Sequence, residues 1–305
     1  MKLITILGPT ATGKTKLAAH LAFRANGEII SADSRQVFRN MNIGTGKDYN
    51  DYIVNGTNIP FHLIDIAEPG EEFSVFDFYK GFISAFNEIS GKRKLPILCG
   101  GTGLYLESVL KRYLFLEVPE NIELRKELST KDKSELIQIL SNLKSLHNTT
   151  DTVCKDRLVR AIEIEYFHKE NPAKQPQLPE FESYVFGVNY ERSVVMERIT
   201  SRLNARLDNG MIEEVESLIR SGVKKDRLKT YGLEYKYITL YLEKEINYNE
   251  MFRLLNIVIH QFSKRQTTWF RRMERNGINI IWIDGNIPVE DKVDLIVKKA
   301  KLINC

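Results

Sequence analysis

The sequence predicts an α/β protein in which helices flank a parallel sheet and an all-helical subdomain is inserted. Three observations support this fold class. Strand-like and helix-like segments alternate over roughly the first 110 residues, as in parallel sheets. A glycine-rich motif joins the first strand to the first helix. Residues 121–170 show polar, Lys/Glu-rich helical patterns instead of strands. We therefore expect a core of residues 1–120 and 181–305 with a helical insertion at 121–180.

The strands are predicted from short runs of apolar and β-branched residues. They are Leu3–Leu7, Glu28–Ile30, Phe61–Ile66, Leu95–Cys99, Tyr184–Val188 and Ile278–Ile283. Ser74 and Asp77 have the spacing of a capping box, which predicts a helix that ends at Ser90. Three prolines in residues 171–179 interrupt the helical pattern before the chain returns to the sheet. Further helices are expected from Glu191 to Arg275 and after the last strand.

Composition and charge limit the class of protein. The 305 residues carry 44 Lys+Arg against 40 Asp+Glu, so a polyanionic partner would have to bind a local basic patch. No apolar run reaches the ~18 residues of a membrane span, and the early first strand leaves no room for a signal peptide. Cys99, Cys154 and Cys305 form neither a disulfide framework nor a zinc motif. We expect a cytoplasmic monomer with no membrane contact.

A phosphate-binding motif follows the first predicted strand. Residues 8–15 read Gly-Pro-Thr-Ala-Thr-Gly-Lys-Thr, which matches G-x-x-x-x-G-K-[ST], and a helical pattern follows. The strand, loop and helix together predict a P-loop NTPase-like core. Backbone N–H groups and the helix N-terminus would hold a di- or triphosphate, with Lys14 on its oxygens. The Thr15 hydroxyl can bind Mg²⁺.

Two further segments are predicted to reach the same edge of the sheet. Asp33 follows the second strand, where a carboxylate could accept a proton from a nucleophile. An Asp-Ser turn is an equally good interpretation of that residue. Gly100–Gly103 follow the fourth strand and would let the backbone approach a ligand, with the Thr102 hydroxyl beside it. Glycines at such a turn also serve packing alone.

Two helices carry basic residues at suggestive spacing. Arg202 and Arg206 lie four residues apart, so they share one helical face and could clamp phosphate oxygens. The four-residue spacing by itself favours a solvent-exposed basic face over a phosphate-binding one. The segment 264–272 combines Lys and Arg with Trp269 and Phe270, a composition suited to RNA as well as to an amphipathic core helix. We expect the two aromatic residues to pack against the core.

The motifs occur together in an order that resembles bacterial tRNA dimethylallyltransferases, the IPP transferase family. After the P-loop the series contains Ser-Ala-Asp-Ser-Arg-Gln-Val-Phe at 31–38, Met-Asn-Ile-Gly-Thr-Gly-Lys at 41–47, Gly-Gly-Thr-Gly-Leu-Tyr at 100–105, Asp-Arg-Leu-Val-Arg-Ala-Ile-Glu at 156–163, Ser-Arg-Leu-Asn-Ala-Arg-Leu at 201–207 and Lys-Arg-Gln-Thr-Thr-Trp-Phe-Arg at 264–271. The resemblance runs from residue 2 to about residue 272.

The resemblance implies a reaction and a role for each motif. Asp33 would take the proton of adenine N6, Arg206 would hold the leaving pyrophosphate, and Lys14 would help to neutralise it. The diphosphate of dimethylallyl diphosphate would lie on Gly8, Pro9, Thr10, Ala11, Thr12, Gly13, Lys14 and Thr15, with Mg²⁺ on Thr15. The target nucleotide, 3′ of the anticodon, would contact Asp33, Ser34, Arg35, Gln36 and Thr102. The anticodon stem-loop of tRNA would lie on Asp156, Arg157, Leu158, Val159, Arg160, Lys264, Arg265, Gln266 and Arg271.

One segment departs from the family pattern, and other functions remain open. Residues 230–236 do not follow the usual sequence there, so no role is carried over to them. An adenylate dimethylallyltransferase would share the P-loop and the aspartate but would need neither the insertion nor the basic helix. A P-loop small-molecule kinase and a non-catalytic RNA-binding module are two further candidate functions.

Overall fold

The computed structural model describes residues 1–113, 115, 117–144, 152, 154–171 and 178–302. The chain forms two units. The first consists of Met1–Tyr113 and Leu178–Cys305, and the second of Leu114–Gln177. The division thus falls within seven residues of the boundaries expected from the sequence. Of the proline-rich segment, residues 172–177 lie outside the described part of the chain.

A six-stranded sheet, parallel throughout, forms the first unit's framework. Its strands are β1 (Lys2–Leu7), β2 (Gly27–Ala32), β5 (Phe61–His62), β6 (Leu95–Gly100), β7 (Glu182–Asn189) and β8 (Ile280–Asp284). Their order across the sheet is β5-β2-β6-β1-β7-β8. β3 (Ile53–Val54) and β4 (Thr57–Asn58) pair separately as an antiparallel ribbon. The predicted fold class and all six predicted strands are confirmed.

The prediction for the strand at 61–66 was too long. β5 stops at His62 because Leu63 and Asp65 have positive φ angles of 63° and 56°. These left-handed conformations cannot continue an extended strand. Asp65 instead turns its carboxylate to the buried ammonium of Lys47, which the sequence motif did not indicate.

Helices surround the sheet and build the second unit. In chain order they are α1 (Lys14–Arg24), α2 (Val75–Gly91), α3 (Gly103–Leu110), α4 (Ile122–Ser129), α5 (Lys133–Leu143), α6 (Lys155–Glu170), α7 (Arg192–Asp208), α8 (Met211–Arg220), α9 (Lys225–Leu228), α10 (Leu233–Leu242), α11 (Tyr248–Arg275) and α12 (Val289–Lys299). The predicted capping box is present, since Ser74 Oγ accepts from Asp77 N and Asp77 Oδ2 accepts from Ser74 N. Among the described residues, no helix has the length and apolar character needed to cross a membrane.

Two apolar cores hold the first unit together. One lies on the sheet, where Ile6 and Phe186 pack with Val293 of α12. The other joins α7, α8, α10 and α11, and it includes Val37 and Met41 from the segment after β2. That segment is therefore anchored to the helices, which fixes the loop that follows Asp33.

A buried carboxylate on β2 is held by cations. Glu28 is 1 % exposed, and its oxygens lie 2.8 Å from Lys94 Nζ and 2.8 Å from His62 Nε2. Burial by itself raises the pKa of this carboxyl, but the hydrogen bonds from Lys94 and His62 outweigh burial and lower the pKa to about 2. Glu28 is therefore a carboxylate in the folded protein at neutral pH.

The second unit is a small helical body with its own core. Leu128 of α4, Leu136 of α5 and Leu158 of α6 pack together with less than 2 % exposure each. The buried carboxylate of Glu163 accepts hydrogen bonds from Arg125, from Arg160 and from the backbone N–H of Asn121. This ion cluster ties α4 to α6.

Candidate active site

The carboxyl ends of five parallel strands open onto one cavity of about 1080 Å³. Because connections leave a parallel sheet at that edge, residues far apart in sequence meet there. The cavity is lined by the P-loop, by segments that follow the strands and by helices α7 and α11. The lining includes Thr10, Lys14, Thr15, Asp33, Thr102, Tyr190, Arg198, Arg202, Arg206, Glu234, Phe262, Arg265, Gln266 and Asn286.

The P-loop has the conformation expected of an anion cradle. Gly13, directly before α1, has φ 76°, and Ala11 also has a positive φ of 63°. No side chain in the described part of the chain caps the N-terminus of α1, so its N–H groups are available to a ligand. Lys14 Nζ lies 3.3 Å from the Pro9 carbonyl oxygen, to which it donates. Burial lowers the pKa of Lys14, and the Asp33 carboxylate opposes this effect. A bound phosphate would add a negative charge beside Lys14 and so favour its charged form.

Three arginines of α7 point to the cavity. Arg198 donates from Nε to the Ala11 carbonyl oxygen at 2.7 Å, and Arg202 pairs with Asp48. Arg206 Nε is buried without a hydrogen-bond partner among the described residues. Burial, reinforced by Arg202, lowers the pKa of Arg206 to about 10, so it stays cationic at neutral pH. Arg198 was not predicted from the sequence, although it precedes Arg202 by the same four-residue spacing.

Both interpretations of Asp33 fit the structure. Its Oδ1 accepts from the backbone N–H of Arg35 at 2.9 Å and of Gln36 at 3.4 Å, which is the turn interpretation. For Oδ2 no hydrogen bond is found within the described residues, and the side chain lines the cavity. The turn therefore orients the carboxylate and leaves one oxygen for a ligand.

The other residues predicted to contact the target nucleotide surround Asp33. Thr102 Oγ1 accepts from the backbone N–H of Ser34 at 3.0 Å. Gln36 Nε2 donates to the Gly46 carbonyl oxygen at 3.0 Å. Arg35 is exposed and lines the cavity. The structure thus brings all five predicted residues to one wall.

Gln266 connects the two glycine-rich turns. Its Oε1 accepts from the backbone N–H of Thr10 at 2.8 Å, and its Nε2 donates to the Gly101 carbonyl oxygen at 2.9 Å. The side chain is only 8 % exposed. Both ends of its amide are bonded within the protein, so Gln266 holds the two turns together, whereas the resemblance implied a contact with tRNA.

The basic end of α11 divides into a free face and a paired face. Lys264, Arg265 and Arg271 are exposed, and the described residues offer them no ion pair. Arg272 instead bonds buried Glu107 at 2.7 Å and stacks on Trp269, whose Nε1 donates to the same carboxylate. Phe270 is fully buried. The inward packing of Phe270 is confirmed, whereas Trp269 is half-buried and also lines the cavity. We also expect Arg272 to contact phosphate, but its pairing with Glu107 leaves it less available than Lys264, Arg265 and Arg271.

The loop at 42–46 is held by a residue that sequence reasoning missed. Glu214 of α8 accepts from the backbone N–H groups of Asn42, Ile43 and Gly44 at 2.7–3.1 Å. Tyr235 also donates to it, at 2.6 Å. Since Gly44–Gly46 line the cavity, Glu214 fixes one of its walls from behind.

Within the segment 230–236, which departs from the family pattern, residues 231–235 also line the cavity. Tyr231 packs its ring on Phe38 with centroids 4.5 Å apart. Glu234 faces the arginines, and burial raises its pKa while Arg206 opposes the shift. The segment therefore belongs to the site although the resemblance assigned it no function.

In the second unit, the predicted RNA-binding residues differ in their exposure. Asp156 and Arg157 are exposed. Leu158 is 0 % exposed in the helical core, so its side chain is unavailable to RNA, which corrects the prediction. Val159 packs on the same core. Arg160 is bonded to Glu163 and to the Val118 carbonyl oxygen.

Sequence profiles of two related families match this chain. The profile described as IPP transferase covers residues 36–273, and the one described as isopentenyl transferase covers residues 1–62. The chain belongs to the IPP transferase family. Relatives in this family include proteins named tRNA dimethylallyltransferase 2 from Phocaeicola vulgatus, 54% identical over 97% of this chain and 96% of that one, and from Bacteroides fragilis, 52% identical over 98% of each.

Solved structures of two similar proteins share this fold. A tRNA isopentenylpyrophosphate transferase from Bacillus halodurans is 32% identical, with a TM-score of 0.71 over 98% of this chain and 95% of that one. A eukaryotic dimethylallyltransferase acting on tRNA aligns with a TM-score of 0.79 over all of this chain and 80% of the other, at 19% identity. The second likeness concerns the fold alone.

Proposed function

We propose that this protein transfers a dimethylallyl group from dimethylallyl diphosphate to N6 of the adenosine 3′ of the anticodon in tRNA. The observation that carries the proposal is the convergence of a P-loop, an oriented aspartate and three arginines on one cavity in an IPP transferase. The relatives named as tRNA dimethylallyltransferases support the choice of donor and acceptor.

The leaving group is held by cations and backbone N–H groups. The P-loop and the α1 N-terminus receive the diphosphate, and Lys14 and Arg206 neutralise the charge that builds on it. Both side chains lie in a partly buried site, where such stabilisation is stronger than in water. Arg198 keeps the P-loop in place through the Ala11 carbonyl.

The donor set is compatible with Mg²⁺. The Thr15 hydroxyl and the carboxylates of Asp48 and Asp51 line the same cavity, and they are the hard oxygen ligands that Mg²⁺ prefers. Burial and the adjacent Asp48 raise the pKa of Asp51, which a bound cation would reverse. When bound, the ion supplies further positive charge to the diphosphate.

Asp33 acts on the acceptor. The N6 lone pair forms a bond to the first carbon of the dimethylallyl group, and the carbon–oxygen bond electrons leave with pyrophosphate. The N6 proton passes to the free Oδ2 of Asp33, whose Oδ1 is held by Arg35 and Gln36. The adenine must leave its base stack to reach this carboxylate.

The tRNA is held by exposed cations. In the first unit these are Lys264, Arg265 and Arg271 on the free face of α11. In the second unit, exposed Arg157 is the corresponding candidate. We propose that the helical insertion contributes to RNA binding through that face, since a mononucleotide acceptor would need neither surface.

A panel of donors and acceptors tests the proposal. The protein is incubated with labelled dimethylallyl diphosphate and either tRNA or AMP, and separately with labelled ATP and a nucleoside. We expect label on tRNA adenosine alone. Label on AMP would indicate the adenylate enzyme, and phosphorylated nucleoside at ~1 s⁻¹ would indicate a kinase. RNA binding with no transfer from either donor would indicate a non-catalytic module.

A further inference from the structure

One aromatic ring at the cavity, that of Phe262, belongs to none of the apolar cores formed by the described residues. Ile259, Phe262, Gln266 and Trp269 lie three or four residues apart on α11, so they share the face that lines the cavity. Ile259 belongs to the helical core, Gln266 bridges the glycine turns, and Trp269 bonds Glu107. Phe262 is 38 % exposed and belongs to none of these arrangements.

A cation lies beside Phe262, and another exposed apolar side chain lines the same cavity. The guanidinium carbon of Arg265 lies 5.9 Å from the centre of the Phe262 ring. Leu104, at the start of α3, also lines the cavity and is also 38 % exposed. Residues that line a cavity and yet remain exposed form its rim. Aromatic rings and guanidinium planes are the groups on which proteins stack unpaired bases.

The proposed reaction creates a need for such a site. When the target adenine enters the cavity toward Asp33, the neighbouring base in the strand loses a stacking partner at the rim. The backbone phosphates bring negative charge to the same place, where Arg265 and Lys264 are exposed. An aromatic ring beside a cation matches both the base and its phosphate.

Resting on the proposed function, we propose that Phe262 and Arg265 form a stacking site for the nucleobase adjacent to the target adenosine. Phe262 supplies the apolar face and is sequence-tolerant, because every base has a π face. Arg265 supplies a second plane and a charge for the phosphate. This site would hold the strand open while N6 reacts.

Binding of tRNA across a salt series tests the site. Phe262→Ala should weaken binding about 10-fold without changing the slope of log affinity against log salt, since stacking releases no counterions. Phe262→Tyr should bind as wild type. Phe23→Ala is the matched control, because Phe23 is 44 % exposed on α1 and does not line the cavity. Anticodon stem-loops with 2-aminopurine beside the target should lose fluorescence on binding wild type but not Phe262→Ala.

Several results would overturn the site. If Phe262→Ala binds tRNA as tightly as Phe23→Ala does, the Phe262 ring contributes no stacking. A raised KM for dimethylallyl diphosphate with unchanged tRNA affinity would place the prenyl chain on the ring instead. If Phe262→Ala does not fold, Phe262→Leu keeps the apolar volume, and wild-type affinity for it would likewise exclude stacking. The proposed function is tested separately, because only a failure of the wild-type protein to prenylate tRNA would refute it, whatever the binding results show.

Discussion

Gln266→Leu should destabilise the protein and weaken its hold on pyrophosphate. Leucine fills a similar volume but leaves the Thr10 N–H and the Gly101 carbonyl without their partner, 2.8 and 2.9 Å away. The Gly101 carbonyl is buried, so leaving it unpaired costs about 1–3 kcal/mol, whereas the Thr10 N–H is only half-buried at the cavity and adds less. At about 2 °C or more per kcal/mol for a unit of this size, the melting temperature should fall by at least about 2 °C.

Gln261→Leu provides the matched control, since Gln261 lies on the same helix and is exposed. Thermal unfolding with and without pyrophosphate measures both effects. Pyrophosphate should stabilise the Gln266→Leu protein less than the control, because Thr10 belongs to the P-loop. Equal melting temperatures for the two variants would refute the reasoning. Equal melting temperatures with a selective loss of tRNA affinity would show that Gln266 contacts RNA.

Two other predictions concern charge. Replacing Arg265 and Arg271 by Gln should flatten the slope of log tRNA affinity against log salt by about 1 for each phosphate that is no longer neutralised. Replacing the exposed Lys298 and Lys299 by Gln is the control and should leave the slope unchanged. An unchanged slope for the arginine variant would place the RNA elsewhere. Glu28→Gln should lower the free energy of unfolding at neutral pH by up to about 3 kcal/mol, because the pKa of Glu28 is about 2 instead of 4.5. This stabilisation is present above pH 4.5 and lost as pH falls toward 2, so urea unfolding should show the two proteins converging there. A difference in the free energy of unfolding between the two proteins that persists at low pH would contradict this prediction.

The framework of the fold and half of the site have local signals in the sequence. Apolar, β-branched runs marked the strands, and the P-loop motif fixed the edge at which the cavity opens. Asp33 and Thr102 could be placed there because parallel strands end on one side. Arg202 and Arg206 shared a face by their spacing alone. Each of these inferences needs only neighbouring residues.

The remaining part of the site depends on contacts between distant residues. Gln266 bonds Thr10 across 256 positions, and Glu214 reaches the loop at 42–44 across about 170. The residues next to Gln266 and Glu214 in the sequence do not indicate that these side chains bind such distant partners. The predicted length of β5 was wrong for a different reason. The left-handed backbone at Leu63 and Asp65 cannot be predicted from the hydrophobic pattern.

The central claim is that Asp33 takes the proton of adenine N6 while the P-loop holds the departing pyrophosphate. Its most direct test is the single-turnover rate of prenyl transfer to tRNA, with both substrates saturating, for wild type and Asp33→Asn. Asparagine can keep the bonds from the Arg35 and Gln36 N–H groups but cannot accept the proton. We predict a rate at least ~10²-fold lower, with little change in pyrophosphate affinity. A rate within about threefold of wild type, far inside that range, would show that Asp33 only shapes the turn.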